Sequence, residues 1–189
     1  MIILLERNLV EFKFQGRGGQ GVVTLAELFA KAAAYNGKNA QSIPFFGAER
    51  RGAAVMAFAR VSNDKIWVRE PVFKEDMLTI IDDSLFDENK IIDEVRKGGT
   101  IIINSRKSFD EARKKLDPLK IATVDATGIA MKTLGRPIVS AIMLGALLKV
   151  TGYMSLDSIR RAITTSFGAS GIENNMQGVQ MVVDTCLVR

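Results

Sequence analysis

Histidine is absent from this 189-residue chain, and cysteine occurs once, as Cys186. Without histidine there is no Ser-His-Asp or Cys-His triad, no imidazole metal ligand and no histidine general base. A single cysteine excludes an internal disulfide and any four-cysteine zinc or iron–sulfur site within the chain, and it suits a reducing compartment. Aromatic residues are sparse, with one Trp, two Tyr and ten Phe scattered along the sequence. No nucleic-acid reader motif accompanies them, so no nucleic-acid partner is expected. No apolar run approaches the ~18 residues that cross a bilayer. The opening MIILLERNLV is interrupted by Glu6 and Arg7 and carries neither the long apolar stretch nor the cleavage site of a secretory leader. A cytoplasmic protein without a membrane partner is expected.

What is present describes a globular chain. Hydrophobic residues make up 47% and charged residues 25% of it, enough to bury a core in one domain over residues 1–189. The net charge is +5, and the first sixty residues supply most of it, with eight basic side chains against four acidic ones. No acid occurs between Glu27 and Glu49. Such a field favours an anionic ligand or an acidic partner.

The apolar pattern alternates between strand and helix periods. Val10, Phe12 and Phe14 share one side of a strand, and Val22, Leu25, Ala26, Phe29 and Ala33 recur at helical spacing until Asn36–Gly37. Strands are predicted over 39–44, 53–61, 77–82, 100–104 and 120–126, with helices over 84–97 and 109–116. The turn SNDK (62–65) predicts a hairpin from 53–61 into IWVREPV. Beyond residue 126 four helices are predicted, over 127–134, 138–151, 156–167 and 172–186, with Ser155 as an N-cap. The expected fold is α/β, a three-layer α/β/α sandwich around a mixed, mainly parallel sheet of about seven strands.

Two loops carry the candidate site. Gly16, Gly18 and Gly21 fit G-x-G-x-x-G between a strand and a helix, with Arg17, Gly19 and Gln20 inside the same loop. Glycines there allow a tight turn, backbone approach to a diphosphate and close helix packing, and the helix start favours an anion. Arg17 could add a charged clamp. The following stretch, GKNAQSIPFF, has no acid to hold a ribose, and no G-x-x-x-x-G-K-[ST] occurs, so neither a nicotinamide site nor a P-loop is indicated. Three readings stay open: a bound phosphate-type anion, a subunit contact, or a packing turn that binds nothing. The second loop, FGAERRG, sets Glu49, Arg50 and Arg51 side by side, where an arginine fork could hold a carboxylate or phosphate. Asp82–Asp83 reads as a helix cap in preference to a magnesium site, and Cys186 as core. ENN (173–175) reads as helix entry. No metal site and no catalytic residue is expected. The pattern suits a subunit better than a self-sufficient enzyme.

Three stretches in order, GRGGQGVVTLAELFAKAA, FFGAERRGAAVMAFARVS and MLGALLKVTG, closely resemble the gamma subunits of 2-oxoacid:ferredoxin oxidoreductases, in the form found in pyruvate:ferredoxin oxidoreductase (pyruvate synthase). The resemblance runs from about residue 9 to about residue 170. It implies a complex that converts a 2-oxoacid and coenzyme A to acyl-CoA, carbon dioxide and reduced ferredoxin. Thiamine diphosphate with magnesium and iron–sulfur clusters would be carried by alpha, beta and delta subunits, and none by this chain alone. It also implies that the gamma domain packs against the thiamine-binding subunits and helps form the coenzyme A pocket, so Gly16–Gly21, with Glu49, Arg50 and Arg51 adjoining, is expected to face coenzyme A or a partner subunit. The rivals are a stand-alone nucleotide- or dinucleotide-binding protein and a non-catalytic scaffold domain.

Overall fold

The computed structural model describes residues 8–45 and 53–189. Seven strands form one sheet: β1 (Leu9–Arg17), β2 (Asn39–Phe45), β3 (Ala54–Ser62), β4 (Glu75–Ile80), β5 (Val95–Asn104), β6 (Lys120–Val124) and β7 (Leu187–Val188). Their spatial order is β2-β3-β1-β4-β5-β6-β7. Strands β1, β4, β5 and β6 run parallel, β3 is antiparallel to both β1 and β2, and β7 is antiparallel to β6. The helices are α1 (Val22–Tyr35), α2 (Glu88–Glu94), α3 (Asp110–Leu116), α4 (Ala126–Leu134), α5 (Leu144–Thr151), α6 (Leu156–Phe167) and α7 (Ile172–Thr185).

Two apolar clusters place these helices on opposite faces. On the first face Phe12, Phe14, Ala57, Ala59 and Met77 meet the buried sides of α1, α4, α5, α6 and α7. Phe29 of α1 sits with its ring 4.6 Å from that of Phe12. On the second face Leu78, Ile80, Ile101 and Ile103 meet α2 and α3. The period of two explains the division, because successive residues of a strand point to opposite faces. Helix α5 carries most of MLGALLKVTG and is buried nearly all round, as an internal helix is. A Cβ added at Gly145 would strike the Val179 carbonyl of α7, so glycine lets those two backbones approach.

The other side of β1 is ionic. Glu11 accepts from Arg60 of β3 at 2.9 and 3.0 Å and from Arg96 at 3.0 Å, and its amide donates to Asp76 at 2.9 Å. Arg60 is only 1% exposed, so its guanidinium depends on these partners to offset lost hydration.

The sandwich, the mixed sheet and the strand count agree with expectation, but the seventh strand is a different one. IWVREPV (66–72) is not a strand. Strand β3 already has β1 on one edge and β2 on the other, so no edge remains for a hairpin partner. Arg60 instead holds the returning segment through the carbonyls of Val68 at 3.3 Å and Glu70 at 2.6 Å. The antiparallel neighbours are therefore β1, β2 and β3, and the remaining strand is β7. The helix predicted over 84–97 is broken. Asp82 caps a one-turn 3-10 helix, Asp83–Leu85, and Asp87 caps α2 through the amides of Asn89 and Lys90. Short acidic side chains draw amides out of a continuous helix in this way. Gly98–Gly99 do not end a helix but lie within β5, where Gly98 has φ 78°. The helix predicted over 138–151 begins only at Leu144, after a run of turns. Ser155 caps α6 as expected, within a capping box, and Asp125 caps α4.

Candidate functional site

In a parallel sheet the crevice beyond the strand carboxyl ends opens where neighbouring connections leave to opposite faces. After β1 the chain passes to α1 on the first face, and after β4 to α2 on the second. The Gly16–Gly21 loop lies at this divide, against the Asp82–Ser84 turn.

Each part of the loop has a local cause. Gly16 is still paired in the sheet, opposite Val55. A Cβ there would lie 2.8 Å from Val22 Cγ2 and 3.3 Å from Ile81 Cβ, so glycine is required for α1 to pack on β1. Gly19 and Gly21 have φ of 93° and 78°, in the left-handed region that favours glycine. Gly21 is the N-cap of α1. The helix start has no side-chain cap and no acid in its first turn, which leaves its positive end for an anion or a partner. Buried Ser140 stands beside it, its Oγ 3.2 Å from where a Gly21 Cβ would be.

Much of the loop's polar capacity is used internally. The Arg17 amide donates to Gln20 Oε1 at 2.7 Å, the Gly18 amide to the Ala53 carbonyl at 2.9 Å and the Gln20 amide to the Arg17 carbonyl at 3.0 Å. Gln20 Nε2 reaches Asp82 at 2.9 Å. The Arg17 guanidinium lies 3.3 Å from Asp82 and donates to Ser84 Oγ at 2.8 Å. Hydrogen bonding from the Ser84 hydroxyl, helped by Gln20, the Ser84 amide and Arg17, holds the Asp82 carboxyl below its usual range. Arg17 is thus a charge already matched, and an arriving anion would share it with Asp82.

The structure brings Gly16, Arg17, Gly18, Gly19, Gln20 and Gly21 together as one turn. Glu49, Arg50 and Arg51 lie outside the described residues. The flanks of their segment are placed: Phe45 pairs with Met56, and the Gly18 amide is bonded to Ala53. Phe45 and Ala53 therefore both stand at the sheet edge that holds the glycine loop. Sequence reading missed Ser84 and Ser140 at the crevice. A serine just after the end of a buried strand was the available signal for Ser84; nothing in the sequence marked Ser140.

Asp82 caps the turn after β4 and Asp125 caps α4 by accepting from Gly128. Asp83 is held by Ser105 at 2.6 Å and Lys107 at 3.1 Å. Among the described residues no three potential ligands gather to hold a metal. Cys186 is buried, and burial pushes its thiol up to about 11, far from a reactive thiolate at neutral pH. Glu75, raised by burial to about 7, lies at the amino end of β4, remote from the crevice.

Residues 11–185 match the model of the pyruvate ferredoxin/flavodoxin oxidoreductase family. The chain belongs to that family. The common gamma subunit of pyruvate/ketoisovalerate oxidoreductases from Thermococcus kodakarensis is 40% identical over 182 residues, covering 95% of this chain and 98% of the relative. Pyruvate synthase subunit PorC of Methanothermobacter thermautotrophicus is 41% identical over 176 residues, covering 93% and 95%. The crystal structure of pyruvate oxidoreductase subunit PORC from Thermotoga maritima superposes with a TM-score of 0.83 at 32% identity, covering 96% of this chain and 99% of that one. The gamma-subunit resemblance carried by the three motifs is borne out, and this pyruvate oxidoreductase-family chain is a gamma-type subunit of an oxidoreductase complex. Of the three motifs, the third is a packing helix, and the first and the flanks of the second converge on the crevice.

Proposed function

We propose that this chain is the gamma subunit of a pyruvate:ferredoxin oxidoreductase, supporting oxidative decarboxylation of the 2-oxoacid to acyl-CoA with electrons passed to ferredoxin. Its one cysteine and lack of histidine do not fit an iron–sulfur ligand set, so the clusters belong to alpha, beta or delta partners. Thiamine diphosphate and its magnesium are likewise assigned to those subunits. The complex is cytoplasmic, and no described helix is long and apolar enough to cross a membrane.

The observation that carries the site reading is the uncapped, acid-free start of α1 at a crevice edged by a glycine turn and by Ala53, to which the Gly18 amide is bonded. In this reading the crevice meets a phosphate of coenzyme A. In the assembled complex, Arg17→Ala and Arg50→Ala raise the apparent KM for coenzyme A by about fivefold to tenfold, the loss of one charge-assisted contact each, with kcat little changed. An unchanged KM overturns the reading.

A second reading, a purely protein-facing loop, is favoured by the Arg17–Asp82–Ser84 closure, which already occupies the cation. It predicts loss of subunit retention with no change in KM. Calorimetry of the isolated chain with NAD, NADP and ATP separates both from a stand-alone nucleotide-binding protein, which alone predicts micromolar binding at the glycine loop, lost in Arg17→Ala.

A further inference from the structure

The sheet has a second divide. The connection after β5 passes to α3 on the face shared with α2, whereas the connection after β6 passes to α4 on the opposite face. The same geometric rule that marks the β1/β4 crevice therefore marks the carboxyl ends of β5 and β6. Here there is open volume. A cavity of about 630 Å³ lies against the loop after β5, strand β6, and the sides of α3, α4 and α7. That size is within the range of small-molecule sites.

The lining has two chemical parts. Ile121, Ile129 and Met181 supply an apolar surface. Around it stand five basic side chains, Arg106, Lys107, Arg113, Lys132 and Arg189, against only Asp110 and Asp125. Three of the five are matched: Arg106 to Asp125 at 2.8 Å, Lys107 to Asp83 at 3.1 Å and Arg189 to Asp110 at 2.7 Å. Arg113 on α3 and Lys132 on α4 close no ion pair among the described residues, although the charge of Arg113 acts on Asp110 at longer range, and they reach the cavity from helices on opposite faces of the sheet. An apolar floor with surplus positive charge at its rim selects an anion that carries an apolar body.

We infer that the β5/β6 crevice is a second ligand site, which takes a small organic phosphate with its phosphate on Arg113 and Lys132 and its body on Ile121, Ile129 and Met181. Nothing in this assignment depends on what the glycine loop binds. Both cations are exposed, so replacing them leaves the core intact.

The test is titration calorimetry on the purified complex with two probes, ADP and inorganic phosphate. ADP binds at least about tenfold more tightly than phosphate, since the floor adds to the charge. Arg113→Ala with Lys132→Ala weakens ADP about tenfold or more, whereas Arg17→Ala leaves this binding event unchanged. Added KCl weakens it as well. Equal affinity for the two probes reduces the site to an unspecific cationic surface and overturns the inference. So does ADP binding that the double variant does not alter, or the absence of ADP binding below about 1 mM. If the double variant instead sheds the subunit on size exclusion, the crevice is a subunit contact and the ligand site is refuted.

Discussion

The two carboxyl-end crevices of this sheet invert the usual relation between motif and space. The β1/β4 crevice carries the recognisable glycine pattern, yet its turn is tied internally through Gln20, Arg17, Asp82 and Ser84. The β5/β6 crevice has no named pattern, yet it holds the cavity of about 630 Å³ and two cations that close no ion pair among the described residues. A glycine-rich turn is demanded as much by helix packing as by a ligand, and Gly16 shows this directly. Open volume, by contrast, follows from how connections diverge, which no short motif records.

The comparison can be broken first at its glycines. Gly16→Val drives a side chain into Val22 and Ile81 within the core and is expected to cost about 3 kcal/mol or more. Gly128 is the counterpart at the other crevice, where the nearest atoms a Cβ would meet belong to the Asp125 carboxylate that caps α4. That side chain can swing aside, so Gly128→Val costs about 1 kcal/mol, the value of a cap. Denaturant midpoints of the two variants measure the gap, and equal costs would mean that Gly16 has no special packing duty.

A control of intermediate size lies at the opposite end of the strands. Glu75 is buried and raised from 4.5 to about 7, so the folded state keeps a proton that the unfolded chain releases. Its stabilising contribution is complete below about pH 4.5 and is lost as pH rises through 7. Glu75→Gln therefore gains about 2 kcal/mol over the parent at pH 8 and nothing at pH 4, read by urea unfolding at each pH. Neither crevice changes its ligand affinity; a shift at either would show that they are not isolated from the amino ends.

The finest distinction concerns the two capping acids. Asp82→Ala and Asp125→Ala each cost about 1 kcal/mol in thermal or urea unfolding, so stability does not separate them. Ligand binding does. Asp82→Ala frees Arg17 and lowers the KM for coenzyme A severalfold if the glycine loop meets its phosphate, while Asp125→Ala frees Arg106 at the other crevice and leaves that KM alone. Because Asp82 is held below 3.8, its share of stability persists above that pH and fades only as pH falls further.

Most of the sheet was legible because its strands bury one or both faces. Val10, Phe12 and Phe14 alternate cleanly, and TIIIN is continuous because β5 is central. The failures have a common cause in tertiary partners invisible to local pattern. IWVREPV has the period of a strand, but β3 has no edge to give it. β7 is two residues long and exists through its register with β6, Ala122 to Val188 and Thr123 to Leu187. The glycine turn was visible in sequence, whereas its closure by Asp82 and Ser84, sixty residues on, was not. Arg113 and Lys132 are ordinary surface cations in sequence, and only the divergence of α3 and α4 brings them to one cavity.

The position of β3 between β1 and β2 also sets an order of assembly. When β1, α1 and β2 have been made, β2 has no sheet partner, because its neighbour has yet to be synthesised. The crossover can close only when β3 inserts between β1 and β2, so β2 and β3 gain their protection together. Amide exchange in β2 should then follow the opening of β3 residue for residue, one cooperative block distinct from the parallel strands beyond β1.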